Sequence, residues 1–278
     1  LKDDKWMRRL SEDVFSVVDP QFESKIVVNI TGDQINLESL AAVNPDLVVL
    51  WASSTEDPNL AAINDTLHVP TFAIYVTSLD DVYRQVDTMG KISGNKERAE
   101  QVKEIMKSYA DMATNVTSQI NESDRPTVFW MWTDVYGTAG VKSGINDLID
   151  LAGGINVMTQ AEEDAQVMEH PVVTQETLIK LNPDVIYMWY NENLDPEDII
   201  SGEEYQGWKD INAVKNKRVY EIGNPYLFDA FSPRMPLALL HVAKDLHPDK
   251  FQDLDINQTV DQYNVDIWGV HYPSLARA

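Results

Sequence analysis

Apolar and polar positions along this chain follow one pattern twice: a leucine-bearing helical stretch, an Asn-Pro-Asp break, and a short run of unbroken apolar residues. The first copy is residues 35–51, INLESLAAVNPDLVVLW, and the second is residues 173–189, VTQETLIKLNPDVIYMW. They align without a gap, with identities at Glu38/Glu176, Leu40/Leu178, Asn44/Asn182, Pro45/Pro183, Asp46/Asp184 and Trp51/Trp189. Leucines at helical spacing predict a short helix in each copy. The Asn-Pro pair predicts its end, because proline has no amide donor and disfavours a helical residue before it. The runs 47–50 and 185–188 then read as strands covered on both faces, the pattern of a parallel sheet.

Around each copy the alternation continues. Residues 61–67 and 79–89 read as helices and 71–76 as a strand in the first half. In the second half, 127–133 and 218–222 read as strands and 144–152 as a helix stopped by Gly153 and Gly154. Strands alternating with helices predict an α/β protein with two parallel-sheet lobes. Between the halves, apolar residues at Ala99, Val102, Ile105, Met106, Tyr109, Met112, Ala113, Val116 and Ile120 form one face of a single helix over 95–120. At 1.5 Å per residue it would be roughly 39 Å long, enough to serve as a strut between lobes. An ordinary surface helix of one lobe is the alternative. The expected organisation is an N-terminal lobe over 1–93, a linking helix over 94–122 and a C-terminal lobe over 123–278.

Composition narrows the partners. The 278 residues are 44% hydrophobic, which excludes a disordered chain, and no stretch reaches the roughly 18 apolar residues of a membrane span. A formal charge of −23 and a pI near 4.4 argue against nucleic acid, whose phosphates need a basic surface. The absence of cysteine removes disulfides, thiolate metal sites and thiol nucleophiles together. Asn-x-Ser/Thr triplets at Asn29, Asn64, Asn115, Asn121 and Asn257 are compatible with an exported protein.

Motifs for catalysis fail on spacing. Residues 140–144, GVKSG, fit neither a phosphate-binding loop nor a nucleophile elbow, and read as a turn before the helix at Ile145. The histidines, His68, His170, His241, His247 and His271, are scattered, so no bare metal site, resident cofactor or enzymatic activity is expected. Aromatic residues are better placed, because parallel α/β sheets bind ligands beyond the carboxyl ends of their strands. Trp51, Trp132, Tyr136, Trp189, Tyr190, Tyr226 and Phe228 follow predicted strands and are candidate ligand contacts. Strand alternation turns about half of such residues into a core, so packing stays open as the other reading. Arg234 offers a planar fork of donors to a carboxylate or catecholate, with a salt bridge at a helix start as the alternative; Lys142 is a weaker second cation. The acidic surface favours a neutral or cationic ligand.

Two further phrases complete the pattern: residues 151–157, LAGGINV, and Ser232-Pro233-Arg234, followed by an apolar helix ending in 246–251, LHPDKF. With the duplicated Asn-Pro-Asp unit and the long helix, they make the chain resemble the class III periplasmic-type binding proteins. The resemblance runs from about Ile35 to Tyr263. That family serves ABC importers of ferric siderophores, haem and vitamin B12. The resemblance implies capture of a metal chelate in an interlobe cleft by a monomer outside the cytoplasm, and delivery to a membrane permease dimer. It also implies that Glu38 and Glu176, at matched positions of the two repeats, dock into arginine pockets of the two permease subunits. A carboxylate favouring a helix N-terminus is the competing reason for both. Family members open with an additional strand and helix, so the first lobe is expected to lack them here and to be anchored through a segment preceding Leu1. Two readings from other classes stay open: a two-lobed enzyme of nitrogenase-like or glycosyltransferase-like architecture, and a sensory or adhesive ectodomain.

Overall fold

An asparagine in the left-handed conformation closes the helix of each repeat. Asn44 (φ 50°) donates its amide to the Ala41 carbonyl, and Asn182 (φ 44°) donates to Leu178. Asparagine tolerates this conformation better than other side chains do, so it stops the helix one residue before proline could. The computed structural model describes residues 14–24, 30–31, 34–52, 56–161, 169–191 and 193–272. It divides into two compact units, residues 19–76 and residues up to 18 together with those from 77 onward. The expectation about the opening of the chain falls largely on residues 1–13 and 25–29, outside the described residues.

After α1 (Phe15–Val18) of the larger unit, the smaller unit holds β1 (Ile30–Thr31), β2 (Gln34–Ile35), α2 (Leu37–Val43), β3 (Val48–Trp51), α3 (Pro58–Ala62) and β4 (Thr71–Ile74). β1 and β2 are antiparallel; β3 and β4 are parallel, with Val48 opposite Thr71 and Trp51 opposite Ile74. Leu40 of α2, Val48 and Ile63 form its core, joined by Leu37, Leu50 and Leu67. The expectation that β3 is covered on both faces is wrong. Val48 and Leu50 turn toward α2, and alternation leaves Val49 47% and Trp51 44% exposed.

The larger unit continues with α4 (Leu79–Ile92), α5 (Lys96–Thr117), β5 (Thr127–Met131), α6 (Gly144–Leu151), β6 (Ile155–Asn156), α7 (Gln175–Leu181), β7 (Val185–Met188), α8 (Pro196–Ser201), α9 (Asn212–Lys215), β8 (Val219–Glu221), α10 (Met235–Leu246) and α11 (Ile256–Trp268). Its four strands are all parallel in the order β6-β5-β7-β8, and every residue of β7 is buried, as its apolar run predicts. The long helix predicted over 95–120 is α5, 22 residues or about 33 Å long. It packs against α4, α10 and α11 through a face that buries Ala99, Met106, Tyr109, Ala110 and Ala113.

The second Asn-Pro-Asp also ties elements together. The Asp184 carboxylate accepts from the Thr127 amide (3.0 Å), the Thr127 hydroxyl (2.9 Å) and Asn212 Nδ2 (3.1 Å), fixing the start of β5 beside β7. Asn182 Oδ1 accepts the Asn212 amide at 2.8 Å, at the head of α9. The LAGG and LHP phrases meet in the same unit, where buried His247 donates through Nε2 to the Gly153 carbonyl (3.0 Å). Gly153 has φ +80°, and a Cβ there would stand 2.9 Å from that nitrogen and 3.2 Å from Thr117 Cβ. Glycine is required on both counts.

Burial holds the His247 imidazole below its ordinary pKa, outweighing the bond to Gly153, which favours the charged ring. The unfolded chain therefore binds more protons than the folded one as pH drops below about 6.5, and this group's contribution to stability declines with it. His247→Gln keeps a donor without the titration. Its free energy of urea unfolding is expected to fall less between pH 7 and pH 5 than that of the native chain, and identical pH slopes would refute the assignment. Gly153→Ala should cost about 2 kcal/mol or more at pH 7, from the positive φ and the close contacts together.

Candidate ligand-binding site

Parallel pairing places the carboxyl ends of β5 and β7 next to each other, with Met131 opposite Met188. Each strand is followed at once by a tryptophan. The Trp189 amide extends the ladder by donating to the Met131 carbonyl at 2.7 Å. After Trp132 the chain turns back in a tight loop: the Trp132 amide donates to the Gly137 carbonyl (3.0 Å), and the Gly137 amide to Asp134 (2.9 Å). The Trp132 indole is pinned by its own Nε1, which donates to the Thr138 carbonyl at 2.9 Å.

The two indoles therefore form a fixed corner, with ring centroids 5.6 Å apart and planes inclined at 64°. His170 closes one side, edge-on to Trp132 at 5.0 Å. Behind the corner, Trp130 lies 5.9 Å from Trp132 and 6.1 Å from Trp189, and stacks on Tyr187 at 5.3 Å with the planes 8° apart. The Tyr187 hydroxyl donates to Asp245 Oδ2 (2.9 Å), and burial raises its pKa well above the usual phenol value. The result is a depression of about 380 Å³ lined by Trp132, Trp189, Asp134, Gly137, His170 and Val172. Larger hollows of about 520 and 550 Å³ sit beside Ile120 and Arg125, where the chain enters β5. They lie away from the strand carboxyl ends, where parallel sheets bind ligands.

The structure brings together two of the aromatic residues singled out from the sequence, Trp132 and Trp189. Trp51 carries an exposed indole at the matched strand end of the smaller unit, edge-on to Tyr75 at 5.6 Å. Tyr136 does not line the depression. Its ring packs on Trp208 at 5.9 Å and its hydroxyl donates to Gln175 Oε1 at 3.3 Å. Tyr190 is buried, and Phe228 is buried against His241 at 4.5 Å. Tyr226, half-buried, is tied into the loop before α10 by its amide, which donates to Asn224 Oδ1 at 3.0 Å. Arg234 is only 3% exposed. It donates through Nη1 to the Tyr226 carbonyl (2.8 Å), between the rings of Phe15 and Trp268 at 5.1 and 5.0 Å. Tyr190, Phe228 and Arg234 are thus buried within the larger unit and do not line the depression.

Asp134 and His170 escaped the sequence reading. Both lie in loops, where no periodicity marks a facing side chain. The one available signal was proximity, since Asp134 follows Trp132 by two residues.

Glu38 and Glu176 are exposed in the first turns of α2 and α7. The caps match in kind: Asn36 Oδ1 accepts the Ser39 amide (2.8 Å) and Thr174 Oγ1 accepts the Thr177 amide (3.1 Å).

Residues 5–226 match the family model described as periplasmic binding protein. The chain belongs to that family. This binding protein is 27% identical over 237 residues to the uncharacterized ABC transporter substrate-binding lipoprotein YvrC of Bacillus subtilis, covering 83% of this chain and 71% of that protein. It is 23% identical over 291 residues to the molybdate-binding protein MolA of Haemophilus influenzae, covering 96% and 79%. The crystal structure of Helicobacter pylori CeuE with Ni(II) bound shares the fold, with a TM-score of 0.78 at 20% identity over 97% of this chain and 85% of that one. Among the described residues no helix is long and apolar enough to cross a membrane.

Proposed function

We propose that this binding protein captures a chelated metal outside the cytoplasm, on the Trp132–Trp189 corner, and hands it to the permease of an ABC importer. The corner itself carries the reading. Two rigid indoles at the carboxyl ends of adjacent parallel strands give an organic chelate flat apolar surface, while Asp134 and His170 supply a few polar groups to orient it. Binding, orientation and release require no covalent step. YvrC, whose name assigns it to an ABC transporter as a substrate-binding lipoprotein, supports the transport role.

The docking reading rests on the repeat. Glu38 and Glu176 project from the same turn of equivalent helices, one in each unit, and both are exposed. A twofold permease dimer requires two such equivalent acidic groups. Trp51, exposed at the end of β3, is proposed as a further ligand contact.

Intrinsic tryptophan fluorescence reads the capture step. At least one of haemin, aquacobalamin and a ferric hydroxamate, added to micromolar protein, should quench emission, and flat titrations with all three would sink the chelate reading. Replacing both Trp132 and Trp189 with alanine should weaken whichever complex forms by roughly a hundredfold, as loss of two central aromatic anchors does. Delivery is read separately. Glu38→Arg combined with Glu176→Arg should abolish uptake with ligand affinity held within about twofold, since neither glutamate lines the Trp132–Trp189 depression. A parallel loss of affinity would move these glutamates out of the docking role.

A further inference from the structure

We propose that the Trp132–Trp189 depression selects neutral and cationic chelates and rejects anionic ones, including trianionic catecholates, carboxylate-bearing haem and bare oxyanions such as molybdate. The inference rests on the solute-capture reading above and gives it a substrate class. Among the described residues lining the depression, the permanent charge is that of Asp134, and none is lysine or arginine. Asp134 is exposed, and its Oδ1 is held toward the loop by the Tyr136 amide at 3.0 Å, which fixes the carboxylate at the rim. The two indoles, inclined at 64°, add π surface that attracts a cation, and the Trp132 N–H is already spent on the Thr138 carbonyl.

Among the described residues lining the depression, no cationic side chain offsets Asp134. His170, which also lines the depression, has Glu169 Oε1 3.8 Å from its Nε2, so a second carboxylate stands beside it. In sequence, Lys180 is the only cationic side chain from Ala161 to Asp198, and it lies in the last turn of α7. Arg234 is consumed between Phe15 and Trp268, and Lys142 does not line the depression. An anionic chelate would thus enter against Asp134 and a chain of net charge −23 without a countercharge among those side chains. The resemblance to molybdate-binding MolA covers nearly the whole chain, yet an oxyanion needs converging donors that these indoles do not supply.

Fluorescence titration of the full chain with five probes tests the selection: cationic ferrioxamine B, cationic diaquacobinamide, a trianionic ferric triscatecholate, haemin and sodium molybdate. At least one cationic probe should bind, and each anionic probe should bind at least about tenfold more weakly. Asp134→Asn keeps the acceptor for the Tyr136 amide and removes the charge. It should weaken the cationic complexes by on the order of fivefold and strengthen any anionic one. An anionic probe that binds tightest overturns the charge selection while leaving solute capture standing. So does an Asp134→Asn effect of the same sign and size on both classes. A chain that binds none of the five loses the selection and the capture reading together.

Discussion

Backbone hydrogen bonding between β5 and β7 sets Met131 opposite Met188, and the site depends on that pairing. A slip of one residue would turn every side chain to the other face. The register is fixed at both ends. At the amino end, Asp184 takes both the amide and the hydroxyl of Thr127; at the carboxyl end, the Trp189 amide bonds to the Met131 carbonyl. Burial opposes the Asp184 charge, but the bonds from Thr127 and Asn212 and the field of Arg218 prevail and hold its carboxyl below the usual range. The Asn-Pro-Asp motif is therefore more than a helix stop. Its last residue aligns the strands that carry Trp132 and Trp189.

Those parts of the fold that rest on periodicity were legible in the sequence. The duplicated helix-break-strand unit, the long amphipathic helix and the fully buried β7 all follow from spacing and apolar runs. β3 was misread because an apolar run such as 47–50 looks alike in a strand covered on both faces and in one covered on one; only the neighbouring elements decide. The site was half legible. Position after a strand places a side chain near the ligand end of the sheet, but its direction depends on the next bonds the backbone makes. Trp132 and Trp189 are held by ladder and loop bonds, whereas Tyr190, one residue further, points into the core. Arg234 looked available because its partners, Phe15 and Trp268, lie far away in sequence.

Tyr136 shows what such a residue does instead. The loop from Trp132 to Gly137 lines the depression on one side, and on the other it pairs with the segment leading into α7. The Val173 amide donates to the Tyr136 carbonyl (3.0 Å), the Thr138 amide donates to Pro171 (2.9 Å), and the Tyr136 hydroxyl reaches Gln175. Gln175 occupies the space left at Gly207, where a Cβ would stand 2.5 Å from its amide nitrogen. His170 and Val172 in the depression and Glu176 on α7 thus belong to one short, tightly bonded stretch of chain. The depression and the first turn of α7 share a frame.

The rigidity of that floor is set from behind. Trp132 and Trp189 rest on Trp130, Trp130 stacks on Tyr187, and the Tyr187 hydroxyl is bonded to Asp245 of α10. Burial raises the Asp245 pKa and lowers that of its neighbour His241, whose Nδ1 lies 3.5 Å from the same carboxylate oxygen. Both shifts act against the charged forms, so the ion pair adds little to the footing of the aromatic column. Such a footing holds the column by packing and one directional hydrogen bond. Indoles fixed in this way have little conformational freedom left to lose, which would leave more of any contact energy for affinity.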